Sequence, residues 1–241
     1  MMQTLFDILQ FALYPATAVF AGGAISLWRP PGPRLSSAIQ HFTAGVLFCA
    51  LATELLPDLL HWRLPWITLG GFVLGVAVML ALKHFTEKFG QKGVTKTRRP
   101  TSLIATLAVD ITLDGVLIGL GFAAGQKQGL LLTIALTLEV IFLGLSGGAA
   151  LRGSGVSRGT VIAITFGFGA LLLTGAAAGT VLLAGASGAL LDAVLAFGLA
   201  ALLYLVTEEL LVEAHEVPET ATQTAMFFVG FIVLLIIEMM L

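Results

Sequence analysis

The chain has 241 residues, of which 58% are apolar and 11% charged, with a net charge of −2. Soluble domains run near 45–50% apolar and about 25% charged, so a soluble fold of this length could not hide so much apolar surface. The apolar runs recur along the whole chain, which also excludes a soluble domain with one membrane anchor.

A helical span needs about 20 mostly apolar residues at roughly 1.5 Å rise each. Eight stretches qualify: 4–28, 36–60, 64–85, 101–124, 128–150, 159–184, 189–212 and 222–241. The first opens with Met1-Met2-Gln3-Thr4-Leu5-Phe6-Asp7. It has no basic n-region, and we read it as the start of a retained helix and not a cleaved signal. Pro30, Pro31 and Pro33 break the chain after the first span, and Arg63 and Pro65 mark a short turn after the second. A basic segment from Lys83 to Pro100 separates the third from the fourth. Gly125 to Gly129 is a tight turn, Arg152 to Arg158 another short loop, and Gly185 to Gly188 the weakest boundary. The stretch from Glu213 to Glu219, with Pro218, ends the seventh span. The expectation is an all-α polytopic membrane protein with one transmembrane domain over 1–241 and a cytoplasmic basic loop at 86–100. The single cysteine, Cys49, lies in an apolar run and permits no disulfide framework.

Assigning the loops alternately to two sides sorts the cations. One side receives Arg29, Arg34, Lys83, Lys88, Lys92, Lys96, Arg98, Arg99, Arg152 and Arg158; the other receives only Arg63 and Lys127. The side rich in Lys and Arg is cytoplasmic. Both termini are then expected outside, in a plasma or bacterial inner membrane. Omitting one span would scramble this split, so it also checks the count of spans. Glycines at small-xxx-small spacing (Gly71 and Gly75, Gly144 and Gly148, Gly175 and Gly179) predict close helix packing in lipid.

Ionisable side chains inside a membrane are expensive and face a partner or a polar path. Asp110 and Asp114 lie near the centre of the fourth span, four residues apart and on one helix face. Glu139 lies near the centre of the fifth. The short turn between these spans makes them antiparallel neighbours, with the three carboxylates at similar depth. Neither span carries Lys or Arg between 101 and 124 or between 128 and 150. A bound cation would balance the carboxylates; protonation and hydrogen bonding to neighbouring helices is the alternative. A second group comprises Glu54 and Asp58 near the outer end of the second span, and His41 near its inner end. Glu208, Glu209, Glu213, His215 and Glu216 lie at the inner end of the seventh. These read as the two mouths of a cation path, or as ordinary solvated helix ends. Asp7, Asp192 and Glu238, near span ends on the outer side, receive no role.

Four stretches carry a resemblance to the ZIP (Zrt/Irt-like) divalent metal transporters, in particular their compact prokaryotic branch. Ala44-Gly45-Val46-Leu47, followed by Glu54-Leu55-Leu56-Pro57-Asp58, is similar to that family's second span. Asp110-Ile111-Thr112-Leu113-Asp114-Gly115 falls where the family has His-Asn-x-x-(Asp/Glu)-Gly. Glu139-Val140-Ile141-Phe142-Leu143-Gly144 falls where its fifth span has a second ligand-x-x-x-ligand-Gly element. Glu208-Glu209-Leu210-Leu211-Val212-Glu213 is similar to Glu-Glu-Leu-Ile-Pro-Glu in its seventh span. The resemblance implies a 3+2+3 helix bundle with both termini extracellular or periplasmic, its first and last three spans related by an inverted repeat. It implies transport of a divalent metal (Zn²⁺, Mn²⁺ or Fe²⁺) by alternating access. The metal ion and the lipid bilayer are then the partners, with a homodimer as the assembly and no organic cofactor or nucleic acid.

The chain departs from the family at its metal ligands. Asp110 stands for the usual His and Ile111 for the usual Asn, while Val140 and Leu143 replace ligands in the fifth span. The expectation is at most one metal site, made of Asp110, Asp114 and Glu139. An all-oxygen site leans toward Mn²⁺, Mg²⁺ or Fe²⁺, although zinc also accepts carboxylates. Two rival readings remain. One is a ZIP-like protein that has lost metal transport and acts as a sensor or carries another solute. The other is an intramembrane enzyme. Both aspartates share one helix, and neither the aspartyl-protease pairs nor His-Glu-x-x-His is present.

Overall fold

The computed structural model describes residues 2–90, 100–183, 188–218 and 220–240. Eight helices are long and apolar enough to cross a membrane: Leu5–Ser26, Pro33–Trp62, Pro65–Phe85, Pro100–Ala124, Gln126–Gly153, Arg158–Leu182, Ala189–Ala214 and Ala221–Met240. Each expected span has one counterpart, offset by a few residues at its ends. The described residues contain no strand. Prolines set several of the starts. Pro33, Pro65 and Pro100 each occupy the opening of a helix, where a missing N–H costs nothing. The second span ends at Arg63, whose φ of 53° is left-handed, and two residues then suffice to begin the third. The turn between the fourth and fifth spans is tighter than expected: Gly125 alone separates their helices. Most of the expected basic loop at 86–100 lies outside the described residues. The third helix continues to Gly90, and Pro100 opens the fourth. Most of the expected boundary at 185–188 is also outside them.

The chain divides into two compact units. One comprises Met1–Pro31, Leu80–Gly119 and Leu136–Val181, the other Gly32–Met79, Leu120–Ala135 and Leu182–Leu241. In the first unit the first span runs parallel to the fifth. A Cβ on Gly144 would lie 2.2 Å from the Val19 carbonyl oxygen, and one on Gly22 would lie 2.1 Å from that of Ile141. The sixth span runs parallel to the fourth in the same manner, Gly175 against Thr112 and Gly115 against Leu172. In the second unit Gly45 and Gly230 bring the second and eighth spans together, and Gly71 and Gly75 bring the third against the seventh at Ala193 and Phe197. Exchanging the first three spans with the last three, and the fourth with the fifth, leaves this list of pairs unchanged. That is the pairing an internal repeat requires. The three small-xxx-small pairs all sit at helix–helix contacts.

The second and seventh spans share a further feature. Each contains one wide π-helical turn, at Leu51–Leu55 and at Leu205–Leu210. In the first, the Leu56 N–H reaches back five residues to the Leu51 carbonyl. In the second, the Leu211 N–H reaches Val206. Pro57 supplies a cause for the first, because it has no N–H to give the Thr53 carbonyl. Both turns carry a Thr-Glu pair, Thr53-Glu54 and Thr207-Glu208. Such turns inside α-helices concentrate at functional sites.

Gly188 precedes the seventh helix at φ 57° and ψ −128°, a conformation closed to residues with a side chain, although a Cβ there would meet no atom within 4 Å. The Gly188→Ala substitution therefore carries a purely conformational cost. We expect it to lower stability by about 1–3 kcal/mol, read from the thermal unfolding of the protein in detergent.

Candidate functional site

The central carboxylates fall in one compact unit. Two side-chain contacts fix the register between the fourth and fifth spans: Leu107 packs on Gly147, and Leu132 packs on Gly121. Asp114 lies seven residues from both Leu107 and Gly121, and seven residues return a helix to nearly the same face. Glu139 lies seven residues from Leu132 and eight from Gly147. The two acids thus sit at equal height on the stripes along which the spans touch. Asp114 is 0% exposed and Glu139 1% exposed. Asp110 is one turn away from Asp114 and half-buried. The opposite side of the fourth span is filled by the sixth, through Thr112, Gly115, Val116 and Gly119. Among the described residues, no three His, Cys, Asp or Glu side chains are gathered closely enough to hold a metal ion between them. The central acids are therefore two fully buried carboxylates at similar height on neighbouring spans, with Asp110 one turn from Asp114.

Both expected mouths fall in the other unit. At one end, the start of the second span is tied to the end of the seventh. The Ser37 hydroxyl donates to the Ala214 carbonyl at 2.7 Å, and Gln40 Nε2 donates to a Glu213 carboxylate oxygen at 2.6 Å. The His41 and His215 rings meet edge to face with centroids 5.2 Å apart. His41 Nδ1 donates to the Ser37 carbonyl at 2.9 Å, and His215 Nδ1 to that of Leu211. His41 is buried, while Glu208, Glu213 and His215 are exposed and Glu209 is half-buried. His41 thus meets His215, and Glu213 is held on the same pair of helix ends through Gln40.

At the other end of the second span, Glu54 is 4% exposed although its neighbours Leu56 and Pro57 are exposed. The wide turn directs it inward. Lys127 Nζ lies 3.7 Å from Glu54 Oε1 and 3.4 Å from Glu238 Oε1. Gln128 Nε2 donates to Asp58 at 3.3 Å. Sequence reasoning missed Lys127 and Glu238 as members of this group. The available signal was that Lys127 is one of only two cations on its side of the chain. Asp192 was also passed over; it is fully buried and accepts the Thr68 hydroxyl at 2.8 Å. It sits in the first turn of the seventh helix, where amide dipoles favour a negative charge.

No family model matches the chain. Zinc transporter ZIPB of Bordetella bronchiseptica is 27% identical to it over 250 residues, covering 93% of this chain and 77% of that protein. The likeness extends over nearly the whole of a chain whose described residues include eight helices of membrane-spanning length. Over nearly its whole length the chain is thus similar to a bacterial zinc transporter, in keeping with the resemblance its motifs carry.

Proposed function

We propose that this chain moves a divalent metal cation across the membrane, with Asp114 and Glu139 as the central donors and Asp110 as the third. The observation that carries this reading is the pair of fully buried acids at equal height on facing stripes of the fourth and fifth spans. Two ionised carboxylates taken out of water cost several kcal/mol each, by order of magnitude, unless a cation or a proton joins them. A divalent ion balances both at once. Water or backbone oxygen would complete its shell, and Asp110 would enter it directly or through water. An all-oxygen shell favours Mn²⁺ or Fe²⁺, and the zinc carried by the relative remains within its range.

Glu54 and Asp58 would pass the ion inward, and His41, Glu208, Glu209, Glu213 and His215 would take it at the far end. All three central donors belong to one compact unit, so movement of that unit need not change the ligand set. Alternating access of this kind is the habit of transporters built on inverted repeats. Carboxylates that shed protons on binding metal would couple metal flux to protons. The distribution of Lys and Arg supports an orientation with both termini outside.

A second reading has its own support: Val140 and Leu143 stand where the family has ligands, and the described residues hold no three-ligand group. On that reading the protein senses metal no longer carried, or carries another solute. Thermal unfolding of the purified protein separates the two. A metal that binds the folded state at a hundredfold excess over Kd stabilises it by about 2.7 kcal/mol. The transporter reading expects Mn²⁺ or Zn²⁺ to raise Tm and to enter proteoliposomes. Absence of metal-dependent flux overturns the transporter reading; a Tm still raised by metal then leaves a metal sensor, and a Tm unmoved by either ion leaves the carriage of another solute.

A further inference from the structure

The end of the second unit that holds Glu54 contains a feature that metal transport alone does not call for: a cation supplied by the protein itself. Lys127 stands at the start of the fifth span, just beyond Gly125, and reaches Glu54 and Glu238 from two other spans. Both contacts are loose. At 3.7 Å the Glu54 pair is too long for a hydrogen bond, and the Glu238 hydrogen bond is 3.4 Å. Glu54 is a nearly fully buried carboxylate whose Oε1 has no hydrogen-bond partner, and Glu238 Oε2 has none either. The lysine side chain, by contrast, is 49% exposed.

We propose that Lys127 is a tethered cation holding the seat between Glu54 and Glu238 that an entering divalent metal must take, and that this ammonium sets the metal concentration at which the path fills. The proposal rests on the reading of the protein as a metal transporter. A divalent ion bound between the two carboxylates neutralises both and satisfies the oxygens the lysine leaves without a hydrogen bond. The displaced ammonium swings to water, toward which it is already half open. A flexible four-carbon stem with a compact charge suits a place-holder, because it gives up its position without moving backbone. Gln128 and Asp58, joined beside it, flank the seat. The arrangement discriminates by charge: a monovalent ion gains nothing over the ammonium it would displace, whereas a divalent ion does.

The test has a direct arm and a transport arm. The direct arm is the rate at which an amine-acylating reagent modifies Lys127, followed by peptide mass spectrometry in full-length protein. The background is Asp110→Asn, Asp114→Asn and Glu139→Gln, which removes the central donors. Added Mn²⁺ or Zn²⁺ should accelerate modification of Lys127 saturably, K⁺ at the same ionic strength should not, and the additional Glu54→Gln change should give fast labelling without metal. A labelling rate indifferent to divalent metal overturns the proposal, and it does so whether or not the wild-type protein transports. In the transport arm, Lys127→Gln should lower the metal concentration for half-maximal flux by about threefold to tenfold, as expected for removing a partly exposed competing charge, while Lys127→Arg retains the wild-type value. An unchanged or raised half-saturation in Lys127→Gln also overturns it. Absence of all flux in the wild type with metal-accelerated labelling intact overturns the transport reading and leaves the cation seat standing.

Discussion

Metal-dependent flux in proteoliposomes falls to the background of empty vesicles when Asp110, Asp114 and Glu139 are replaced together by Asn, Asn and Gln. The amides keep the size and shape of the acids and exchange one accepting oxygen for a donating NH2, so the change removes the charge at constant volume. The metal-induced rise in Tm should vanish with the flux. The unfolding temperature without metal should hold or increase, because three charge-bearing groups no longer need compensation in a low-dielectric setting. This pairing of outcomes is the informative part. If the acids were protonated structural groups, the triple variant would lower Tm without metal and leave any flux untouched. Flux that survives the triple change removes these residues from the path. Among the single variants, Asp114→Asn and Glu139→Gln should be the more damaging, since both acids are fully buried, whereas Asp110 is half-buried.

The second large effect is one of packing. An alanine at Gly144 places its Cβ 2.2 Å from the Val19 carbonyl oxygen, a distance no real Cβ tolerates. The obstacle is backbone of another helix and not the tip of a flexible side chain, so the first and fifth spans must separate. In lipid there is no hydrophobic drive to hold them together, and close packing is the main attraction that would be lost. Gly144→Ala should destabilise by about 3 kcal/mol or more, above the usual range for overpacking. Gly167 on the sixth span is the control, because a Cβ there meets no atom within 4 Å. Gly167→Ala should be neutral or stabilising by up to about 1 kcal/mol, the helix-propensity difference between the two residues. Unfolding in detergent read by size-exclusion chromatography distinguishes them. Equal behaviour of the two variants would show that the glycine contact does not hold the spans together.

The spans were legible because twenty-residue apolar runs and their proline starts are local signals, and because the bilayer leaves the backbone few alternatives. The similar depth of Asp114 and Glu139 was legible for a related reason: a turn of a few residues, read at Gly125 to Gly129, leaves an antiparallel pair little freedom of register. The wide turns in the second and seventh spans were not. Pro57 hints at the first, but nothing between Leu205 and Leu210 breaks helical hydrogen bonding, so the second is decided by packing. The group around Lys127 was also hidden. It draws on the second, fifth and eighth spans, and no spacing along the chain reports which span ends converge. Glu238 therefore looked like an ordinary terminal acid.

A π-helical turn is in effect one residue inserted into an α-helix, and it rotates everything beyond it by about 100° relative to an unbroken rod. The second span therefore carries two independent azimuths. His41, before the insertion, and Asp58, after it, follow separate stripes although they share one helix. Deleting a single residue between Leu51 and Leu55 would merge the two stripes and swing Asp58 away from Gln128 without disturbing the contacts of His41. Such a helix can be retuned at one end of the membrane while the other end stays as it is, and the seventh span, with its own insertion, has the same latitude.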